Sequence, residues 1–537
     1  MKPLDFRSAP LLSSTVLPVL LLASSLGLLS CGSPGSGSGK AALGTDKPNI
    51  MLILFDDLND WIEPLAGHPD IQTPNFQRLA DMGVSFTNAQ CDSTACNPSR
   101  TALLTGLRPS TTGVYKNGQP YLAAVADRPT MMEAFSAAGY RTLGAGKVFH
   151  SWGPGKLVWD EFVEKDDDPR AEMRETAGLT QLAHFTWGPL DVEDEAMDDV
   201  QVALQAKKWL DSPQKSPFFM ALGFYRPHLP WNVPQKYFDL YPLDEVTIPK
   251  LVNTDVDDLP PSGKMRMDRR AHKAIALAGQ YPQAIQAYMA SVSFADAVLG
   301  RILDALEASP YRDNTIVVVT SDHGLHLGDK KHWGKYTLWE RAAHVPLLVY
   351  AKGLAGEGQA SPRPVTLVDL YPTLQELAGI EPTTNLDGIS FAPLLQDPLA
   401  KRDRPALTNY PIEAYSIRDE RWRYIRYRNG DEELYDHQTD RNERTNLAPD
   451  PAHDEVKERL AKAIPAVAAP NAPITFNPDD LQGTVKHLVR FYEPKRLIKA
   501  LQPVAERREK RRQERKAAAA AAALDEAKET SSEGGNP

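Results

Sequence analysis

Two of the chain's three cysteines, Cys91 and Cys96, lie in the run CDSTACNPSRTALLTG, which closes at Gly106. Asn97 suits an N-cap, Pro98 the first helical position and Gly106 a helix stop, so the run predicts a helix with Cys96 immediately ahead of it. The free N–H groups and dipole of a helix start favour an anion, and Arg100 adds a cation one turn in. A plain thiol in that setting would be an acidified nucleophile. A small Cys91–Cys96 disulfide and an ordinary helix start with an incidental cysteine are the competing readings. The run by itself leaves them open.

Other residues able to do chemistry stand at the ends of apolar runs. PNIMLILFDDL ends in Asp56 and Asp57, and TIVVVTSDHG in Asp322 and His323. YRTLGAGKVFH leads to Lys147 and His150, and PFFMALGFYRPH to Arg226 and His228. Runs without alternation are the pattern of strands buried on both faces, and VPLLVY reads as another of the same kind. Between them TPNFQRLADMG, AMDDVQVALQAKKWLD and QAIQAYMASVSFADAVLGRILDALEAS carry helical periodicity. Strands alternating with helices predict an α/β fold with a mostly parallel central sheet flanked by helices. Ligands bind such sheets beyond the carboxyl ends of the strands, and four strands deliver acids, histidines or cations to that edge.

The chain has 537 residues, more than one core usually serves, with 42% hydrophobic and 24% charged residues, ordinary for a globular protein. A formal charge of -10 argues against a nucleic-acid partner. Lys2 and Arg7 precede an apolar, Ser-containing run from Leu11 to Leu29, which reads as a secretion signal. Leu28-Leu29-Ser30-Cys31 resembles a bacterial lipobox, so residues 1–31 are assigned to the signal and 32–47 to a Gly/Ser-rich tether. The expectation is an exported protein, periplasmic or anchored to the outer membrane through lipid on Cys31. Residues 48–400 form the expected catalytic domain. Residues 401–494 form a smaller α+β lobe, with an antiparallel hairpin turning at Asn429-Gly430 and a helix in DEVKERLAKAI. Residues 495–537 form a charged tail, in which 505–516 hold seven basic and three acidic side chains, read as a solvated helix fraying into disorder.

CNPSRTALLTG resembles the sulfatase signature, Cys-x-Pro-Ser-Arg followed by Thr-Gly. LFDDLND, GKVFH, RPHLPW, SDHGLHLGDKKHWGKYTLWERAAHVPLLVY and ELYDHQTDRNERTNLA are similar to the iduronate-2-sulfatase-like bacterial branch of that family, across roughly Pro48 to Ala448. The resemblance implies an alkaline-phosphatase-like fold and a calcium ion held by Asp56, Asp57, Asp322, His323 and the group at position 96. It implies that a formylglycine-generating or anaerobic sulfatase-maturating enzyme converts Cys96 to formylglycine, an aldehyde working as its hydrate. Arg100 would orient that hydrate, and Lys147, His150, His228 and Lys335 would surround the sulfate and the leaving oxygen. In the implied mechanism one hydroxyl of the hydrate attacks sulfur while a histidine or lysine protonates the leaving alcohol. The second hydroxyl then loses its proton and expels sulfate.

The implied partner is a sulfated saccharide, with Trp231, Trp333 and Trp339 as candidate stacking surfaces at the rim. His184 is a candidate for the substrate pocket, and His326 and His332 either line the entrance or serve the loop and core. Cys91 is expected to be a free thiol. A phosphonate or phosphate ester hydrolase of the same superfamily is the competing enzymatic reading, and a non-catalytic surface glycan-binding protein the competing binding reading.

Overall fold

The structure is a computed structural model that describes residues 47–119, 128–150, 158–164, 185–252, 254–354 and 356–472. The signal segment with Cys31, the tether up to residue 46, His184 and the charged tail lie outside the described residues.

The main sheet has eight strands, β1 (Asn49–Asp56), β2 (Val84–Phe86), β3 (Arg141–Gly146), β4 (Glu161–Val163), β5 (Phe218–Pro227), β6 (Thr315–Ser321), β7 (Leu347–Tyr350) and β8 (Gln359–Ser361). Their spatial order is β8-β2-β7-β6-β1-β5-β3-β4. β1 pairs in parallel with β5 on one side and β6 on the other. All eight residues of β1 are buried, as its unbroken apolar run requires in a sheet covered on both faces. Met51, Ile53 and Phe55 face one core with α1 (Pro74–Met82), while Ile50, Leu52 and Leu54 face another with α2 (Cys96–Thr105). Two long helices, α3 (Asp198–Leu210) and α4 (Tyr281–Ala308), complete the first layer.

VPLLVY departs from expectation. Its strand, β7, runs antiparallel to both neighbours, β2 and β6. Burial on both faces gives the same apolar run whichever way a strand points, so the pattern carried no direction. Asp296 of α4 accepts the backbone N–H groups of Asn75 at 2.9 Å and Phe76 at 2.8 Å, satisfying donors that the start of α1 would otherwise leave free.

Beyond the main sheet, β9 (Ala406–Asn409), β10 (Tyr415–Arg418), β11 (Trp422–Arg426) and β12 (Glu432–Asp436) form a four-stranded antiparallel meander. Its last hairpin turns through Asn429 and Gly430, the glycine supplying φ 90°. Leu460 of α5 (Asp454–Ala461) packs with Ile417, Tyr424 and Leu434 of the meander.

Candidate active site

The carboxyl ends of β1 and β6 and the first turn of α2 meet at one point. Asp56 is the last residue of β1, and Asp57 follows in the left-handed region at φ 66°, which aspartate tolerates better than most side chains. Asp322 and His323 follow β6 directly. Cys96 is the first residue of α2, with Ala95 at the cap. The helix therefore begins two residues earlier than its sequence suggests. Asn97 does not cap it, because its side-chain amide donates to the carbonyls of Lys116 at 3.0 Å and Gln119 at 2.8 Å.

Cys96 Sγ is the centre of the cluster. Lys335 Nζ lies 3.1 Å from it, His323 Nε2 3.2 Å and Asp56 Oδ1 3.6 Å. Lys335 also donates to Asp57 Oδ1 at 2.8 Å, and Lys147 donates to Asp56 Oδ2. Arg100 donates through Nε to Asp322 Oδ2 at 2.8 Å, and its remaining nitrogens reach the carbonyls of Phe55, Lys147 and Val148. That guanidinium ties the ends of β1 and β3 to Asp322 and is itself 2% exposed, so it is fixed rather than free to swing. Three carboxylates and three permanent cations are thus gathered in a nearly dry volume.

Two histidines have their tautomers set by carbonyl oxygens, which can only accept. His323 Nδ1 lies 3.0 Å from Gly324 O, so it holds the proton and leaves Nε2 toward sulfur. His228 Nδ1 lies 2.5 Å from Leu229 O, which leaves Nε2 toward Asp57 Oδ2, 3.7 Å away. Burial, reinforced by Lys335 and Lys147, keeps His228 well below its ordinary value. His150 is likewise brought down to about 3 by burial and by Lys147, Arg100 and Lys335, and its Nδ1 has no hydrogen-bond partner. Both rings are neutral near pH 7 in this structure. Burial opposes ionisation of Asp322, but Arg100 and the neighbouring cations outweigh it and hold that carboxyl below its usual range.

The Cys96 thiol is not acidified. Burial pushes it up to about 12, with Lys335 opposing and Asp322 and Asp57 adding to the rise. The helix-start argument neglected the burial and the adjacent carboxylates. Cys91 and Cys96 are both free, so the disulfide reading falls; the Cys91 thiol instead faces Ala342 O at 3.7 Å.

The structure brings Asp56, Asp57, Cys96, Arg100, Lys147, His228, Asp322, His323 and Lys335 together through direct contacts, with His150 facing the same cations. Two overlapping groups there could hold a metal ion: Asp56, Cys96, Asp322 and His323, and Asp56, Asp57, Cys96 and His228, each with ligand atoms within 4.8 Å of one another. The carboxylate donors suit a hard cation such as calcium.

Other expectations fail. Trp231, Trp333 and Trp339 are 1%, 2% and 1% exposed and belong to the core, so they offer no rim. Arg226 turns away from the cluster and donates through Nε to Asn232 O at 3.1 Å. His326 and His332 follow the loop and core alternative, since both are buried, His326 between Asp329 and Thr337. His332 accepts from Asp268 N at 2.7 Å and donates to Lys335 O at 2.9 Å, so it holds the backbone that carries the lysine. Sequence reasoning missed that role, and also Tyr336 and Asn117. Tyr336, at φ 76° and 39% exposed, accepts from Asn117 Nδ2 at 3.4 Å, while Asn117 Oδ1 accepts from the N–H of Asn97 at 3.1 Å. No local pattern marks these residues, because their partners lie far away in the chain.

Comparison with known proteins agrees with this geometry. The sulfatase family profile matches residues 48–380, and a profile of the C-terminal region of N-sulphoglucosamine sulphohydrolase matches residues 328–469. A sulfatase of Formosa agariphila is 38% identical over 431 residues, covering 75% of this chain and 83% of that protein. The iduronate 2-sulfatase of Homo sapiens is 32% identical over 387 residues, covering 63% of this chain and 70% of its own length. Among solved structures, a phosphonate monoester hydrolase of Agrobacterium radiobacter shares the fold, with TM-score 0.63 at 23% identity, over 77% of this chain and 94% of that one. With the family profile spanning most of the α/β region and the signature cysteine at the centre of the cluster, the chain belongs to the sulfatase family and is a sulfuric ester hydrolase.

Proposed function

We propose that this sulfatase removes the 2-O-sulfate from a terminal uronic acid of a sulfated polysaccharide fragment, using Cys96 matured to formylglycine and a calcium ion at Asp56, Asp57, Asp322 and His323. The observation that carries it is the convergence of Lys335, His323 and Asp56 on Cys96 Sγ at the start of α2. The likeness to iduronate 2-sulfatase supports the sugar and the position of the sulfate.

Bound there, calcium supplies Lewis-acid polarisation of the sulfuryl oxygens and the aldehyde hydrate supplies the attacking hydroxyl. The protein's own groups do the rest. Lys335 and His323 hold the group at position 96, and Arg100 fixes Asp322. His228 Nε2, with Nδ1 committed to Leu229 O, is the nitrogen that can take up a proton once the anionic ester is bound beside it and then pass that proton to the leaving alcohol. Lys147 and His150 stand beside it as the other candidates for that transfer. Three carboxylates against Arg100, Lys147 and Lys335 are formally neutral, so a divalent cation leaves an excess of two positive charges, matched to a sulfate ester beside a carboxylate.

Two measurements test the reading. The mass of the peptide containing Cys96, taken from active protein, should show formylglycine; active protein with only unmodified cysteine sinks the nucleophile. A panel of sulfated mono- and disaccharides should show preference for terminal 2-sulfated uronates. Preference for internal sulfates or neutral sugars overturns the substrate, and matched aryl phosphate esters turned over faster than aryl sulfates would favour the phosphoester reading. Export with lipid on Cys31 belongs to the same proposal, and Cys31→Ala should release the protein from membranes with turnover intact.

A further inference from the structure

The segment after residue 260 brings cations to the edge of the reacting centre. From Lys264 to Lys273 the chain reads KMRMDRRAHK, five lysines or arginines against one aspartate, in a protein whose formal charge is -10. Asp268 is committed to the backbone. Its Oδ1 accepts the N–H groups of Arg270 at 3.0 Å and Ala271 at 3.3 Å and so caps the helix Arg269–Ala278. Its own N–H donates to His332 Nδ1 at 2.7 Å, and His332 Nε2 donates to Lys335 O at 2.9 Å. One imidazole therefore ties this segment to the backbone of the lysine that touches Cys96.

Packing carries the same connection out to the surface. Met267 shares a small core with Leu338, Trp339 and residues of the meander, and Tyr410 packs against that core. Tyr410 lies beside Tyr336, ring centroids 5.4 Å apart at 32°, and Tyr336 is 39% exposed immediately after Lys335. Arg266 sits close enough to Tyr410 to oppose the burial that raises its phenol. It makes no ion pair among the described residues, and its Nε is buried without an acceptor. Arg270, Lys273 and Lys331 are likewise without an ion pair among the described residues. Arg270 and Lys273 are exposed and three apart, neighbours on one helix face. Lys331 is near enough to His272 of the same helix to add to the lowering that burial causes there. Lys264, by contrast, donates to Asp257 O at 3.0 Å, and the buried Glu433 behind the segment accepts from Tyr427, Tyr435 and Trp339. Like charges left unpaired on one strip repel one another, and an anion laid across them relieves that repulsion.

We infer that Tyr336, Tyr410, Arg266, Arg270, Lys273 and Lys331 form a subsite for the second and further sugars of a sulfated oligosaccharide, running outward from the catalytic centre. For the chemical class of its ligand the inference rests on the substrate reading above. Tyrosine rings offer a face to a sugar ring, while guanidinium and ammonium groups take its sulfates and carboxylates. The two tyrosines supply the aromatic rim that Trp231, Trp333 and Trp339 do not. An exposed aromatic directly beside the catalytic lysine, with unpaired cations beyond it, fits a polymer whose end is in the centre better than it fits an anionic membrane.

The test uses full-length protein carrying Cys96→Ala, so that no turnover occurs, titrated calorimetrically with a heparin-derived tetrasaccharide and with a 2-sulfated uronate monosaccharide. Arg266→Gln, Arg270→Gln, Lys273→Gln and Lys331→Gln together should weaken tetrasaccharide binding about tenfold or more, flatten its dependence on salt and leave the monosaccharide unaffected. Arg270→Gln with Lys273→Gln, both exposed, should give part of that loss with native circular dichroism. With Cys96 intact, the four changes should raise KM for the tetrasaccharide about as much, with kcat and turnover of an aryl sulfate unaltered. Unchanged tetrasaccharide binding overturns the inference. So does an equal loss for the monosaccharide, or a strip that binds phosphatidylglycerol vesicles while saccharide affinity ignores its charges. A tetrasaccharide held through the strip, with neither affinity nor turnover for the 2-sulfated uronate, sinks the substrate reading and leaves the subsite standing.

Discussion

Two buried clusters of acids and histidines in this molecule have similar inventories and opposite uses. At the catalytic centre, Asp56, Asp57 and Asp322 come from strand ends and surround Cys96 Sγ, while Arg100 stays at the periphery. Under the meander, Glu340, His437 and Glu443 also lie close enough to hold a metal ion. There the fully buried Arg423 occupies the middle, with Nε 2.6 Å from Glu443 and Nη2 against Glu340. Glu443 accepts further from His437 at 3.0 Å and from the N–H of Glu340 at 2.9 Å. Its charges close on one another and weld the meander to the segment after Trp339. Proximity of acids therefore does not make a site; what stands in their centre does.

That contrast can be broken at either end. The largest effect is expected from Asp57→Ala or Asp322→Ala, which should cut kcat by about 10³-fold or more while circular dichroism remains native, since each removes a carboxylate from the reacting centre. Substantial activity in either variant, or full activity after exhaustive chelation, would contradict the metal assignment. His228→Ala should lower kcat by about 10²–10⁴-fold, with a smaller loss on substrates whose leaving group needs no proton. An equal loss on both would make His228 a binding residue.

Arg423→Met should do the reverse. It leaves Glu340 and Glu443 buried without their cation, costing about 3–5 kcal/mol of stability in denaturant titration, with kcat of the folded fraction unchanged. A drop in kcat with stability intact would mean that the meander cluster communicates with the catalytic one.

The smallest effect concerns pH. Burial, opposed by hydrogen bonds from Phe76 and Asn75, raises Asp296 to about 6. The folded state therefore keeps this proton longer than the unfolded chain. Its contribution is greatest below the ordinary carboxyl range near 4, falls as pH rises toward 6 and is flat beyond, a total of about 3 kcal/mol at most. Asp296→Asn should flatten that slope in stability measured from pH 4 to 7; an unchanged slope would assign it to other groups.

Much of this was readable in one dimension. Apolar runs ending in Asp56-Asp57 and Asp322-His323 announced buried strands delivering acids to one edge, because burial on both faces leaves no alternation and ligands gather where parallel strands end. The Cys-x-Pro-Ser-Arg signature singled out Cys96, and GKVFH and GKYTLW supplied Lys147 and Lys335. Neighbours in sequence could not settle what only packing decides. The direction of β7 is invisible to hydropathy, and the three tryptophans offered as a rim are core because α4 and the loop after β6 cover two of them and the meander the third. The thiol expected to be acidic is pushed up, since burial and the carboxylates of Asp57 and Asp322, 39 and 226 residues away, outweigh the helix start. Arg423 joins the meander to Glu340, 83 residues earlier in the chain. The sequence by itself determined which residues could do the chemistry, through composition and local period. The tertiary structure decided which of them share a desolvated volume, because burial and charge pairing depend on contacts that no local window contains.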